Sequence, residues 1–200
     1  MLEYGLLCWY VLCAEMGLGK TLQVLAFLVS LFEQQQQQAG TDTDTNTGPH
    51  LIIMPLSVMT SWRRDLQQHI PAEVLDVHVH LGSRQEREEA FIAWVRRARE
   101  QRRRDWDRNR DRDSDRPAKL FLCLTSYNFA INDIDLFRRL RPKQVTARTG
   151  GGGVCWEYLV VDEAHRLKNS ESKLFSCLLQ LKSQRHLLLS GACYDRYHTT

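Results

Sequence analysis

The sequence predicts an α/β fold in which helices cover both faces of a mostly parallel sheet. Two observations support this prediction. Apolar runs of strand length alternate along the chain with longer amphipathic runs of helix length. Several of the short runs are apolar without interruption, which is typical of strands buried on both faces. In such sheets ligands bind beyond the carboxyl ends of the strands, and we expect the functional residues there.

The expected elements cover most of the 200 residues, which suits a single domain comprising residues 1–200. We expect strands at residues 10–13, 51–54, 74–81, 120–125, 158–161 and 186–189. We expect helices at residues 21–34, 58–69, 84–104, 127–140 and 172–182.

Three segments interrupt this alternation and are predicted to be disordered surface insertions of low complexity. Residues 34–50 begin as a glutamine tract and continue in Thr, Asp, Asn and Gly. Residues 102–117 mix Arg with Asp, and residues 142–153 end in four consecutive glycines. None of these compositions can bury a face against a core. The Arg/Asp segment suggests nucleic-acid binding, but its acids offset its bases, which favours a solvated insert.

The overall composition excludes several classes of protein. The net charge is +3, so any contact with nucleic acid must be local rather than due to a global basic field. None of the six cysteines forms a Cys-x-x-Cys pair, which disfavours a zinc site, and a reducing compartment fits best. Residues 5–14 are apolar enough to resemble a signal-peptide core, but no Lys or Arg precedes them.

A phosphate-binding loop is predicted at residues 14–21, which read Ala-Glu-Met-Gly-Leu-Gly-Lys-Thr between a short strand and an apolar helix. Curled backbone at Gly17, Leu18 and Gly19 would point N–H groups at phosphate oxygens, next to the positive end of the helix. Lys20 is placed to reach the β- and γ-phosphates, and the Thr21 hydroxyl to bind Mg²⁺. The alternative, a glycine-rich turn that happens to end in Lys-Thr, is disfavoured by the strand–loop–helix context.

A pair of acids follows the predicted strand at 158–161. Asp162 can hold Mg²⁺, partly through water, and Glu163 can orient or deprotonate an attacking water. His165 could lie near the γ-phosphate. Two acids after a strand often mark only the start of a helix. Together with the Lys-Thr loop, however, they predict a site that binds and hydrolyses ATP.

These residues resemble the motifs of the Swi/Snf-type chromatin-remodelling ATPases of helicase superfamily two. Residues 14–21 are similar to the family's Asp-Glu-Met-Gly-Leu-Gly-Lys-Thr loop, and residues 162–169, Asp-Glu-Ala-His-Arg-Leu-Lys-Asn, to its acidic box. Three shorter motifs also match in family order: Pro-Leu-Ser-Val at 55–58 with Ser61-Trp62, Leu-Thr-Ser-Tyr at 124–127, and Leu-Leu-Leu-Ser-Gly at 187–191.

The resemblance implies the first, ATP-binding lobe of a RecA-like P-loop motor that hydrolyses ATP with Mg²⁺. Such motors move along double-stranded DNA and restructure nucleosomes in the nucleus. The resemblance also implies that the turns at Pro55, Ser57, Thr125 and Ser126 face the DNA backbone, where hydroxyl and N–H groups bind without reading sequence. The alternative is that these residues are only caps and turns at the sheet edge.

The sequence departs from the family pattern at both ends. Ala14 replaces the first acid of the loop, and Ala192 and Cys193 replace a Thr-Pro pair. We assign no residue to the second lobe, whose arginines would stabilise the transferring phosphoryl group, a contribution on the order of 10³–10⁵ in rate. We therefore expect this chain alone to bind Mg-ATP weakly and to hydrolyse it slowly.

Two other functions compete with a motor lobe. The first is a non-catalytic module that binds a nucleotide or a partner. The second is an RNA helicase of the Asp-Glu-Ala-His type, which shares the literal letters of residues 162–165. The Glu-Met-Gly-Leu-Gly-Lys-Thr loop and the Arg-Leu-Lys-Asn continuation at 166–169 argue against the helicase.

Overall fold

The computed structural model describes residues 9–13, 19–38, 48–108, 118–139, 155–167 and 173–191. All six predicted strands are present in this part of the chain. They are β1 (Trp9–Cys13), β2 (His50–Met54), β3 (Leu75–His80), β4 (Leu120–Ser126), β5 (Trp156–Val161) and β6 (Ser183–Ser190).

The predicted helices are also present, with different ends. They are α1 (Lys20–Gln38), α2 (Met59–His69), α3 (Arg84–Arg108), α4 (Tyr127–Asn132), α5 (Ile134–Phe137) and α6 (Lys173–Leu178). Short 3₁₀ helices occupy Leu56–Val58, Ala72–Val74 and Ala164–Leu167. Within the described ranges, no helix combines the length and the apolar character needed to cross a membrane.

The strands form one sheet in the order β1-β6-β5-β2-β4-β3, and every pair of neighbours is parallel. Consecutive parallel strands need crossover connections, which the helices provide. All carboxyl ends therefore meet at one edge of the sheet. β6, the last strand in the described part of the chain, lies between β1 and β5.

Helices cover both faces of the sheet, as predicted. Leu51 and Ile53 of β2 belong to a core on the face covered by α3, α4, α5 and α6. Ile52 and Met54 belong to a second core on the face covered by α1 and α2. Because successive side chains of a strand point to opposite faces, an uninterrupted apolar strand supplies both cores.

Two of the segments predicted to be disordered insertions are partly helical, as the ends of α1 and α3 show. α1 continues through Gln38, and α3 continues through Arg108, so residues 34–38 and 102–108 are helical. Gln and Arg are good helix formers, and extending an existing helix needs no new nucleation. Composition was therefore a poor guide to where each helix ends. Residues 39–47, 109–117 and 140–154, which include the predicted insertion at 142–153, lie outside the described residues.

The predicted helix at 127–140 is two short helices separated at Asp133, whose φ of −113° and ψ of 25° are not helical. The Asp133 carboxylate is buried and accepts hydrogen bonds from Arg87 and His80, at 2.7 Å and 2.9 Å. These long-range bonds fix the position of Asp133, and the local helical pattern does not reveal them.

Candidate active site

The carboxyl edge of the sheet brings the two predicted motifs together. α1 begins at Lys20, shortly after the end of β1, and Asp162 and Glu163 follow the end of β5. β6 separates these two strands, with Cys13 of β1 level with Ser190 and Val161 of β5 level with Leu188. The cleft beyond this edge is where a doubly covered parallel sheet binds ligands.

The start of α1 has the features of an anion site. Gly19 has a φ of +69°, and a side chain added there would meet no atom within 4 Å. Its carbonyl oxygen accepts the first helical hydrogen bond, from the N–H of Gln23 at 3.0 Å. The first turn carries no acid, so no nearby carboxylate of the helix neutralises its positive end. Lys20 and Thr21 are half-buried there.

The structure places only part of the predicted loop. Gly17 and Leu18, together with the departure from the family pattern at Ala14, lie outside the described residues. The same holds for Ala192 and Cys193, beyond β6.

The Asp162 carboxylate is buried and held by both oxygens. The indole N–H of Trp62 donates to Oδ2 at 2.9 Å, and the main-chain N–H of Glu163 donates to Oδ1 at 2.9 Å. Burial raises the pKa of Asp162, while these hydrogen bonds and the charge of Lys20 oppose the rise. The positive charge of Lys20 is thus close enough to favour the ionised form of Asp162.

Glu163 lies in a strained turn. Its φ of 52° is in the left-handed region, which is unfavourable for a residue with a side chain. The hydroxyl of Tyr127 donates to the main-chain carbonyl of Asp162, and lies 3.4 Å from the carbonyl of Glu163. Burial raises the pKa of Tyr127 well above its ordinary value, so the hydroxyl keeps its proton and donates.

The carboxylate of Glu163 has a partner of its own. Its Oε2 lies 3.1 Å from Nδ1 of His165, whose side chain is 46% exposed. The guanidinium of Arg166 lies over the ring of Tyr127, 5.4 Å from its centroid. The acidic turn is thus held by Tyr127 at its main chain and by His165 at its side chain.

The four candidates for DNA contact separate into two pairs. Ser57 is exposed and Pro55 half-buried, beside the exposed Leu56. The side chains of Thr125 and Ser126 are buried, and the Ser126 hydroxyl accepts a hydrogen bond from the N–H of Phe129 as the cap of α4. Burial argues against a direct contact between these two hydroxyls and DNA, and a contact between this turn and DNA stays a prediction. For Thr125 and Ser126 the structure favours the alternative of caps and turns.

Two residues at the site have roles that sequence reasoning missed. Trp62 and Tyr127 belong to recognised motifs, but no local pattern pairs them with residues 100 and 35 positions away. One available signal was the predicted parallel sheet, since α2 and α4 follow strands that end at the same edge as β5.

Comparisons with known proteins agree with this geometry. Residues 7–195 match the SNF2-related domain. Over 181 residues, or 90% of the chain, the sequence is 30% identical to Helicase swr1 of Schizosaccharomyces pombe and to Helicase domino of Drosophila melanogaster. The match covers 11% and 4% of those two proteins, so the chain spans only a small part of their length.

A solved structure gives the same fold. The Sulfolobus solfataricus SWI2/SNF2 ATPase core in complex with dsDNA superimposes with a TM-score of 0.57 at 23% identity. The superposition covers 94% of this chain and 28% of that one. The family match covers nearly the whole chain and both halves of the site, and the chain belongs to the SNF2-related domain family.

Proposed function

We propose that this chain is the ATP-binding lobe of a DNA-dependent ATPase of the Swi/Snf type that acts in chromatin remodelling. One observation carries the proposal. Lys20, at the positive end of α1, and Asp162, at the end of β5, lie at the same carboxyl edge of the sheet, where the charge of Lys20 opposes the rise in the pKa of Asp162. A cation for phosphate and a carboxylate for a metal ion are what an NTPase site requires.

The residues at the cleft fit a nucleotide with Mg²⁺. The N-terminal N–H groups of α1 and the Lys20 ammonium would bind phosphate oxygens, together with the backbone of Gly17, Leu18 and Gly19. The Thr21 hydroxyl and the Asp162 carboxylate are hard oxygen donors of the kind that Mg²⁺ prefers. Mg²⁺, when bound, would neutralise charge on the phosphates.

Glu163 is the proposed base for the attacking water. The turn at Glu163 sets it beside Asp162, and its carboxylate can accept a proton. His165, whose Nδ1 lies 3.1 Å from that carboxylate, is placed to hold it in one orientation. In this proposal the Glu163–His165 pair lies on the γ-phosphate side of the site.

Double-stranded DNA and nucleosomes are the proposed partners. The related Sulfolobus ATPase core was solved with dsDNA, and an Arabidopsis relative, 30% identical, carries the name Protein CHROMATIN REMODELING 5. The exposed turn at Pro55 and Ser57 is the candidate contact for the DNA backbone.

A second RecA-like lobe is required in this proposal, because the arginines that stabilise the transferring phosphoryl group come from it. In this proposal the protein acts in the nucleus, where its chromatin substrate lies.

The test is nucleotide binding by purified chain. We expect the purified chain to bind Mg-ATP weakly and the Lys20→Ala variant to show no measurable binding, since both a charge and a phosphate contact are lost. Lys182→Ala, which changes an exposed lysine directly before β6 and so at the opposite, amino edge of the sheet, is the matched control and should bind normally. Equal affinity of wild-type chain and the Lys20→Ala variant would overturn the assignment.

Glu163→Gln separates binding from hydrolysis. Gln keeps the size of the side chain but cannot take a proton, so we expect normal binding and a loss of turnover of about a hundredfold or more, the range typical of a catalytic base. Turnover is measured with the chain joined to its second lobe, with and without DNA. Hydrolysis by the lobe alone at the full DNA-stimulated rate would contradict the need for that lobe.

A further inference from the structure

We propose that Trp62 is a positioning residue for Asp162: its indole N–H holds the carboxylate in the orientation that binds Mg²⁺. This inference rests on the proposed function, in which Asp162 is a ligand of the metal ion. A residue of α2, in the connection that follows β2, thereby takes part in metal binding by a residue that follows β5.

The contact is short and shielded from water. Nε1 of Trp62 lies 2.9 Å from Oδ2 of Asp162, and Trp62 is only 1% exposed. An indole N–H can only donate, and an ionised carboxylate can only accept, so the pair has one possible direction. A hydrogen bond to a charged acceptor away from water is among the stronger ones.

Two donors on different parts of the chain fix the carboxylate. Oδ1 accepts from the N–H of Glu163 while Oδ2 accepts from Trp62. Rotation of the carboxylate about its own axis would break both bonds. The Glu163 bond is local and would exist in any similar turn. The Trp62 bond exists only because β2, which leads into α2, lies next to β5 in the sheet.

The other described buried tryptophans show that this arrangement is not what packing alone requires. A buried indole N–H needs an acceptor, and main-chain carbonyls usually suffice. Trp94 donates to the carbonyl of Asp76 at 3.3 Å, and Trp156 to the carbonyl of Phe137 at 3.2 Å. Trp62 instead makes a shorter bond to a side chain of the candidate site.

Trp62→Phe removes the donor and keeps an aromatic ring. We expect the Mg²⁺ concentration that half-saturates ATP binding to rise about tenfold, the usual effect of losing a residue that orients a metal ligand. Binding of ATP in the presence of EDTA should not change. Trp94→Phe is the matched control, since it also shortens a fully buried tryptophan and removes an N–H donor. We expect this control to change neither quantity.

A double variant shows whether Trp62 acts through Asp162. Trp62→Phe should add no further rise in half-saturating Mg²⁺ to an Asp162→Asn chain, because the bonded carboxylate is already gone. An equal rise in both backgrounds, or an equal rise in Trp94→Phe, would mean that Trp62 only fills space, and would overturn the inference. A wild-type chain whose ATP binding ignores Mg²⁺ would instead overturn the proposed function.

If the Trp62→Phe variant fails to fold, a second measurement uses a chain that keeps Trp62. In a ¹H–¹⁵N NMR spectrum, Asp162→Asn should shift the indole N–H resonance of Trp62 upfield, since its acceptor loses its charge. The indole resonance of Trp94 should stay in place. An unmoved Trp62 resonance would overturn the inference.

Discussion

The hydroxyl of Tyr127 donates a hydrogen bond to the main-chain carbonyl of Asp162, which lies 35 residues further along the chain. The bond joins the first turn of α4, just beyond β4, to the acidic turn beyond β5. It satisfies the carbonyl that directly precedes Glu163, whose φ of 52° is in the left-handed region. The shape of the acidic turn therefore depends on a neighbouring crossover.

Tyr127→Phe should destabilise the fold by about 1–2 kcal/mol, because it leaves a carbonyl oxygen inside the protein without its donor. Urea unfolding followed by circular dichroism measures the loss. Tyr158→Phe is the matched control, since the Tyr158 hydroxyl interacts with the half-exposed Arg185, and we expect a loss below about 0.5 kcal/mol. Equal losses of unfolding free energy in the two variants would show that the hydrogen bond to Asp162 adds no stability of its own.

Arg87→Met should cost about 3–5 kcal/mol of stability, because it leaves the buried Asp133 carboxylate without its ion pair. Arg97→Met on the same helix is the control. Arg97 forms a two-pronged pair with Asp76 but is 51% exposed, and we expect a loss below about 1 kcal/mol. The two free energies of unfolding, measured in urea at pH 7, should differ severalfold. A loss from Arg87→Met no larger than that of the control would contradict this account.

The fold should lose stability as the pH falls from 6.5 towards 4. Burial lowers the pKa of His78 to about 4 and that of His50 to about 3, both from 6.5. Between these values the unfolded chain binds protons that the folded chain rejects, so acid favours unfolding. This contribution to stability is complete above pH 6.5 and falls as the pH drops through the window.

At His78 burial is the main cause of the lowered pKa, and the neighbouring His80 and Arg97 lower it further. The hydrogen bond between His78 and His80 opposes protonation of His80. The Asp133 carboxylate only accepts, so His80 donates from Nε2 and accepts at Nδ1 from Nε2 of His78. His50, in contrast, has no hydrogen-bond partner at either ring nitrogen among the described residues. His50→Phe should therefore reduce the slope of unfolding free energy against pH. Replacement of the exposed His69 by Gln should leave the slope unchanged, and a slope equally reduced by both would argue against burial as the cause.

Gly48→Ala should destabilise the protein by about 1–3 kcal/mol through overpacking. A methyl group at Gly48 would lie 2.2 Å from the main-chain carbonyl oxygen of Cys155, and that carbonyl cannot move without shifting the start of β5. Gly19→Ala is the comparison, since it meets no atom within 4 Å and carries only the strain of its φ of +69°, about 1 kcal/mol. Thermal unfolding ranks the two, and a larger loss at Gly19 would contradict the clash at Gly48.

Most of the secondary structure could be predicted because its causes are local. The apolar run of β2 identifies a doubly buried strand, and the strand–loop–helix pattern around Lys20 identifies an anion site at the start of α1. Helix ends were predicted less well. Gln38 and Arg108 extend their helices because propensity and an existing helix outweigh polar composition.

The sequence by itself determined the alternation of strands and helices, the start of α1 to within one residue and the acids after β5. Periodicity and strand-end position are properties of neighbouring residues. Only the tertiary structure decided that β6 separates β1 from β5, that Trp62 bonds to Asp162, and that Thr125 and Ser126 are buried. These facts depend on which strands pair, and that choice rests on contacts between residues far apart in the chain. A local sequence pattern does not reveal which strands pair, since the same strand can be buried beside several different neighbours.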